Sequence, residues 1–297
     1  MLFILKIVLA CSSPAPAPEP VSIPVKADVV PVEPALSPSG ITPGVEAPEL
    51  ARQLTTIWDV ILDSNHDGAI LDSYGHLHQR VFRILSEDDA LLASVLDLLA
   101  DDVAAHTLAN VTAQRQARGT VRKARSTVPA WRIVDPSPAE VLMALYREAE
   151  ADSGTPWHLL AAVHLIETRM GRLQGVSVAG AQGPMQFMPQ TWAAYGNGDV
   201  TDERDAILAA GRYLAAMGVA EDVDAALWAY NHSHRYVDSV RTWSNQMRAR
   251  PLLFRAYHGW EVYYLTTRGA VWLAPGYEED VPVPVNDWCV SSRACPD

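Results

Sequence analysis

The chain is poor in cysteine, with three in 297 residues. That excludes a disulfide-dense scaffold and leaves room for one bridge at most. It also lacks any apolar stretch of about 20 residues, the simplest signature of a membrane-spanning helix. Basic side chains are outnumbered, 23 Lys and Arg against 35 Asp and Glu, for a formal net charge of −12. This balance argues against a nucleic-acid partner, which needs clustered positive charge. It supplies no long-range attraction toward an anionic polymer, so such a ligand has to be held by short-range contacts. His164, His232, His234 and His258 show no zinc spacing with supporting ligands. No internal repeat is visible. What is present is 49% hydrophobic residues, enough for one or two domains with a real core.

The cysteines separate by position. Cys11 follows Leu2, Phe3, Ile4, Leu5, Ile7, Val8 and Leu9, an order similar to a bacterial lipoprotein signal, whose cysteine becomes the lipidated first residue. The run is short and Lys6 interrupts it. Residues 1–11 therefore read as a leader with Cys11 as the lipidation site. Cys289 and Cys295 are close enough in the tail, residues 278–297, to close a small disulfide loop, as expected of an exported protein; three free thiols in a cytosolic protein is the alternative. Residues 12–48 hold ten of the 21 prolines and no aromatic residue, and predict a disordered, extended tether.

Residues 49–128 predict a helical extension. Leu50, Leu54, Ile57, Trp58 and Ile61 keep helical spacing until Asp63-Ser64-Asn65-His66-Asp67-Gly68 interrupts them. Asp63, Asn65 and Asp67 match the first half of a calcium loop, but the twelfth position is Tyr74 where a bidentate Glu belongs. A turn between helices is the stronger reading, and no metal or other cofactor is assigned. Ser86-Glu87-Asp88-Asp89 predicts the start of an apolar helix from Leu91 to Val103. Arg115, Arg118, Arg122, Lys123 and Arg125 then make a basic run, either a solvated helix face or a contact for phosphates. Ser137-Pro138-Ala139-Glu140 has the form of a capping box with proline at the first helical position, and Gly154 ends that helix. Asp202 opens another helix, and Asp222 caps the one leading to Tyr230. Tyr236, Val237, Val240, Trp243 and Met247 form one side of a longer helix that Pro251 ends. Val262 and Tyr264, then Val271 and Leu273 after Arg268-Gly269, alternate as in a hairpin.

One carboxylate stands out. Leu160, Val163 and Glu167 fall at i, i+3 and i+7, so the Glu167 carboxyl lies on an apolar helix face. Such a group is either paired, with Arg169, Arg172 or His164 as candidates, or kept partly protonated. Gly171 is read as the end of the helix, which puts Glu167 near the negative end of the helix dipole and pushes its pKa up. A carboxylic acid protonated near neutral pH is what general acid catalysis at a glycosidic oxygen requires. The loop that follows, from Ser177 to Pro189, offers Ser177, Gln182 and Gln186, uncharged hydrogen-bonding groups suited to sugar hydroxyls and acetamides. Tyr236, Trp192 and Tyr257 are candidates to stack on sugar faces, although bulky aromatics usually belong to cores. Asp199, Asp202, Glu203 and Asp205 cluster, but they read as a cap and a surface turn, so no second catalytic carboxylate is assigned.

Glu167-Thr168, Ser177, Gly183-Pro184-Met185-Gln186-Phe187-Met188-Pro189 and Ala229-Tyr230-Asn231 occur in the order and approximate spacing of the lytic murein transglycosylases. The wording from Gly183 to Pro189 and the downstream Ala229-Tyr230-Asn231-His232-Ser233 most resemble their membrane-bound B branch. The resemblance covers Pro129 to Tyr277 and departs from the family at Thr168, where serine is usual. It implies a mainly α, goose-type-lysozyme-like catalytic domain over residues 129–277, with a minor β-hairpin. It implies Glu167 as the single acid and base, Ser177, Met185 and Gln186 at substrate-contacting positions, Tyr230 beside the acid and Asn231 as a hydrogen-bonder at a helix end. The implied reaction cleaves the N-acetylmuramic acid to N-acetylglucosamine β-1,4 bond of peptidoglycan and leaves a 1,6-anhydromuramoyl end. The implied protein is an exported, lipid-anchored monomer of the cell envelope that needs no cofactor. Two alternatives stay open: a hydrolytic muramidase on the same fold, and an inactive wall-binding lipoprotein.

Overall fold

Amphipathic helices carry most of the chain, and their stripes decide how they pack. The computed structural model describes residues 42–63, 66, 68–121 and 123–291. Cys11, the leader, most of the proline-rich segment, Asn65, Asp67, Arg122 and Cys295 lie outside these residues. The order is α1 (Ala47–Leu62), α2 (Gly68–Leu85), α3 (Asp89–Leu96), α4 (Asp101–Gly119), β1 (Thr127–Val128), β2 (Arg132–Ile133), α5 (Ala139–Ser153), α6 (Trp157–Thr168), β3 (Leu173–Gln174), α7 (Pro189–Tyr195), α8 (Glu203–Ala216), α9 (Val223–Tyr230), α10 (His234–Ala249), α11 (Leu253–His258), β4 (Val262–Thr266), β5 (Gly269–Leu273), β6 (Val283–Pro284) and α12 (Val285–Ser291). The architecture is mainly helical, as the patterning predicts.

Leu50, Leu54, Ile57, Trp58 and Ile61 are all buried on one face of α1. Each such side chain contributes about 1.5–3 kcal/mol on leaving water. One apolar core runs from Leu50 through Phe82, Leu160 and Trp243 to Trp260. α4 and α6 both pack along α10, α5 lies along α8, and α2 rests on α11. Polar contacts fix the register of these layers. The rings of His78 and His106 meet Nε2 to Nε2 at 2.9 Å, His106 Nδ1 meets Gln246 at 2.7 Å, and the Tyr257 hydroxyl donates to Asn110 at 2.9 Å. The predicted hairpin is β4 paired antiparallel with β5, Val262 opposite Leu273. It covers a smaller apolar cluster built on Val128, Ile133, Val271 and Leu273.

Several boundaries differ from the sequence reading. The apolar helix expected from Leu91 to Val103 is two helices, α3 and α4, broken at residues 97–100. The Asp88 carboxylate caps α3 by accepting from Leu91 N, and that of Asp102 accepts from Val103 N in the first turn of α4, so each piece has its own acidic start. The capping box at Ser137 does not form. Pro138 is the N-cap of α5 without a side-chain bond, because Ser137 is used elsewhere: its carbonyl meets His258 Nε2 at 2.9 Å and its hydroxyl serves Glu203. Order begins before residue 48, where the tether was expected to end. Gln53 accepts from Gly44 N and donates to the Thr42 carbonyl, tying this stretch to α1. Arg115 and Arg118 are not a bare solvated face. Arg115 donates to the Ser86 carbonyl at 3.0 Å and pairs with Asp89, and Arg118 pairs with Glu87. Cys289 is disulfide-bonded.

Candidate active site

Glu167 sits in the last turn of α6, below Leu160 and Val163, which are fully buried. The helix ends at Thr168, three residues before the expected stop at Gly171, because the backbone turns left-handed over three consecutive residues. Arg169 has φ 55°, Met170 φ 57° and Gly171 φ 84°. Two non-glycine residues in this region store strain that the surrounding packing must hold. Thr168 holds it locally: its hydroxyl donates to the Pro184 carbonyl at 2.6 Å and accepts from Gly171 N at 3.1 Å. Thr168 is therefore the clip between the helix end and the loop from Ser177 to Pro189.

The loop folds on itself beneath this end. Gln182 and Phe187 exchange backbone hydrogen bonds, at 2.9 and 2.8 Å. Gly183 adopts φ 72°, and a Cβ there would collide with the Val200 carbonyl, so the position demands glycine. Ser177 accepts from Ala179 N and Ala181 N, which makes it a turn-former. Gln186, with φ 52°, donates its amide to the Gly183 carbonyl at 2.9 Å. Met185 is fully buried, and its carbonyl accepts from the Tyr230 hydroxyl at 2.7 Å.

The carboxyl of Glu167 is partly buried and has no ion pair among the described residues. The three candidate partners are engaged elsewhere. Arg169 donates to the Leu165 carbonyl, Arg172 to the His258 carbonyl with Asp135 at 3.8 Å, and His164 shares a hydrogen bond with the Tyr146 hydroxyl. Burial depresses His164 to about 3, so it is neutral. Desolvation raises Glu167 to about 7, and the Tyr236 hydroxyl pulls the other way. That hydroxyl is buried and has no partner in regular hydrogen-bond geometry. It lies near enough to Glu167 to act on it electrostatically, without a well-formed bond. The negative end of α6 acts in the same direction as desolvation.

Tyr236 is 2% exposed and Tyr257 is fully buried, so neither ring is available to a sugar. That corrects the stacking reading of both. Tyr236 instead stacks parallel to Tyr230, centroids 6.3 Å apart and planes at 9°, and both tyrosines are pushed well above their ordinary pKa, first by burial and then by Glu167. Both are thus neutral hydroxyl groups at working pH. Trp192 is half-buried against Phe187. Asn231 is exposed and ends α9.

One residue escapes the sequence reading. Glu203, read as surface turn, borders a 650 Å³ cleft together with Gly171, Gln174, Gln182 and Ser137. Its carboxyl is raised chiefly by burial, and it lies where a side chain at Gly171 would be. Following the cap Asp202, it resembles ordinary first-turn acid, and only the tertiary fold reveals the cleft. Among the described residues no group of three or more His, Cys, Asp or Glu is placed to hold a metal ion. No described helix is long and apolar enough to cross a membrane.

Comparison with known proteins follows this geometry. Residues 144–250 match the family described as Transglycosylase SLT domain. The chain is 29% identical over 143 residues to the membrane-bound lytic murein transglycosylase F of Thiobacillus denitrificans, an alignment covering 42% of this chain and 30% of that relative. The chain thus spans about a third of the length of the curated relative it matches. No solved structure matches it. The matched stretch, from within α5 to the end of α10, is what the chain shares with transglycosylase SLT domains.

Proposed function

We propose that the protein is a peptidoglycan lytic transglycosylase, with Glu167 as its single acid and base. The observation that carries this is a carboxyl raised to about 7, with no ion pair and no second carboxylate among the groups that shift it. In the first step Glu167 gives its proton to the oxygen linking N-acetylmuramic acid to N-acetylglucosamine. The C1–O bond breaks with its electron pair going to that oxygen, and the substrate acetamide oxygen supports the positive charge at C1. In the second step the muramoyl 6-hydroxyl attacks C1 and its proton returns to the Glu167 carboxylate. No water is consumed and no cofactor enters. The neutral hydroxyl of Tyr236 stabilises the carboxylate between the steps without neutralising it beforehand, while that of Tyr230 stays on the Met185 carbonyl.

Ser177, Gln182, Gln186 and Asn231 belong to this proposal as the substrate-side surface, while Met185, expected to contact substrate, is fully buried and acts as core beneath the loop. Their geometry supports two tasks. Ser177 and Met185 shape the loop; Gln182, half-buried on the 650 Å³ cleft, supports the reading of a group that meets sugar substituents, and the half-buried Gln186 donates its amide to the Gly183 carbonyl within the loop. An envelope location is supported by the relative's membrane-bound designation, and lipidation at Cys11 and a monomeric state are further parts of the proposal. Digestion of purified sacculi tests the chemistry. Mass spectrometry of the soluble products is expected to show anhydromuramoyl ends, and products one water heavier would instead assign hydrolysis.

A further inference from the structure

Asp135 and Glu203 are the two carboxyls on the 650 Å³ cleft, and no Lys, Arg or His lines it. The rest of its polar lining is uncharged and comes from Ser137, Gln174, Gln182 and Thr201. The neighbouring arginines are engaged elsewhere. Arg204, next to Glu203 in sequence, pairs with Glu148. Arg172 lies 3.8 Å from Asp135 and donates to the His258 carbonyl. Glu203 itself has no ion pair among the described residues. Burial raises its carboxyl, the Ser137 hydroxyl pulls the other way, and His258 acts on it least. Gly171 makes room for this arrangement. Glu203 Oε1 lies 2.7 Å from the point that a Cβ of Gly171 would occupy, so a side chain there would have to displace the carboxyl. A half-buried carboxylate short of a counter-charge is costly, and a cation entering the cleft offsets that cost.

We propose that this cleft is a specificity site for a primary ammonium group on the polymer, with Glu203 as the residue that recognises it. The inference rests on the peptidoglycan reading above. Free amines are the cationic groups such a polymer can carry, on a glucosamine that lacks its acetyl group or on a diamino residue of the peptide stem. The two share one chemistry. An ammonium has three N–H donors, which one carboxylate and the neutral oxygens of Ser137, Gln182 and Thr201 can accept. An acetylated nitrogen has one N–H and no charge, and it forgoes the ion pair. The cleft begins at the helix end that carries Glu167, because Gly171 and Pro184 both line it and both are bonded to Thr168. Its volume of 650 Å³ falls within the range of small-ligand sites, about 300–1,000 Å³. A net charge of −12 draws cationic groups toward the chain at long range.

Calorimetric titration of the full chain tests this without relying on turnover. The probes are a glucosamine tetramer, its fully N-acetylated counterpart, a stem tetrapeptide with a free side-chain amine, and the same peptide acetylated at that amine. At least one free-amine probe is expected to bind about tenfold more tightly than its acetylated counterpart, with an affinity that falls as salt rises. A preference confined to the tetramer pair assigns the amine to the sugar, and one confined to the peptide pair assigns it to the stem. Glu203→Gln is expected to abolish the preference and leave the affinity of the acetylated probes unchanged, with urea unfolding to show that the variant is folded. Equal binding of free and acetylated probes by the wild-type chain, or a preference that survives Glu203→Gln, would overturn the proposal. The sacculus digest is a separate readout, and its failure to yield anhydromuramoyl ends would overturn the reading of the reaction, not the ammonium site.

Discussion

Glu167 and Glu261 are both drawn out of water, and the fold treats them in opposite ways. Glu261, 7% exposed at the start of the hairpin, is also raised by burial, but a cation and hydrogen-bond donors beside it oppose that shift. Trp272 Nε1 donates to it, Arg172 acts on it through its positive charge, and Gln79 grips its backbone from both sides. His76 approaches to 3.7 Å, but burial holds that imidazole near 3, so the contact is not an ion pair. Among the described residues Glu167 receives no cation, only the nearby hydroxyl of Tyr236. One carboxylate is compensated and structural. The other is left in an environment where its proton is held to about neutral pH, which is the condition for donating it.

The contrast predicts opposite responses to mutation. Glu167→Gln should lower the rate of anhydromuropeptide release by about a hundredfold or more. The same variant should become more stable at alkaline pH. A carboxyl whose folded pKa is about 7, against 4.5 unfolded, contributes its stability fully below pH 4.5 and loses it as pH rises through 7. The amide escapes a cost of about 1–3 kcal/mol at pH 8. Urea unfolding at pH 5 and pH 8 checks this, with a gain only at the higher pH expected. Arg172→Met should do the reverse. It strips Glu261 of its cation and should cost about 3 kcal/mol in stability at neutral pH, while the pH dependence of the activity that remains is unchanged.

Smaller effects sharpen the comparison at the clip and the hydroxyl. Thr168→Val leaves the partly buried Pro184 carbonyl and Gly171 N–H without their partner and should cost about 1–2 kcal/mol with a parallel fall in rate. Thr168→Ser should restore most of both, and chemical denaturation beside the digest reads the pair. Tyr236→Phe removes the group that lowers the Glu167 pKa. The alkaline limb of the rate profile should then move to higher pH with little loss of stability. Movement to lower pH would show that the hydroxyl favours the protonated form.

Much of the scaffold was legible. The stripe from Tyr236 to Met247 is the buried face of α10, the alternation at Val262 is the hairpin, and Asp222 caps α9. These signals are local, set by periodicity and by single side chains reaching nearby N–H groups. The features that failed are those where a distant element competes. Ser137 looks like a cap, but His258 and Glu203, far along the chain, claim its carbonyl and hydroxyl. Tyr236 looks like a sugar platform, yet its position on the apolar stripe buries the ring and leaves its hydroxyl near Glu167. Glu203 looks like surface charge until Gly171 is folded against it. The burial of Glu167 was readable from spacing alone. The absence of a cation beside it was not, because three candidates stood within the same stretch of chain.

The carboxyl resonance of Glu167 is the most direct test. Carbon-13 NMR titration of the wild-type chain, with Glu167→Gln to assign the signal, should show a carboxyl, absent from the variant, that titrates near pH 7. A midpoint between 4 and 5, the range of an ordinary glutamate, would contradict the account.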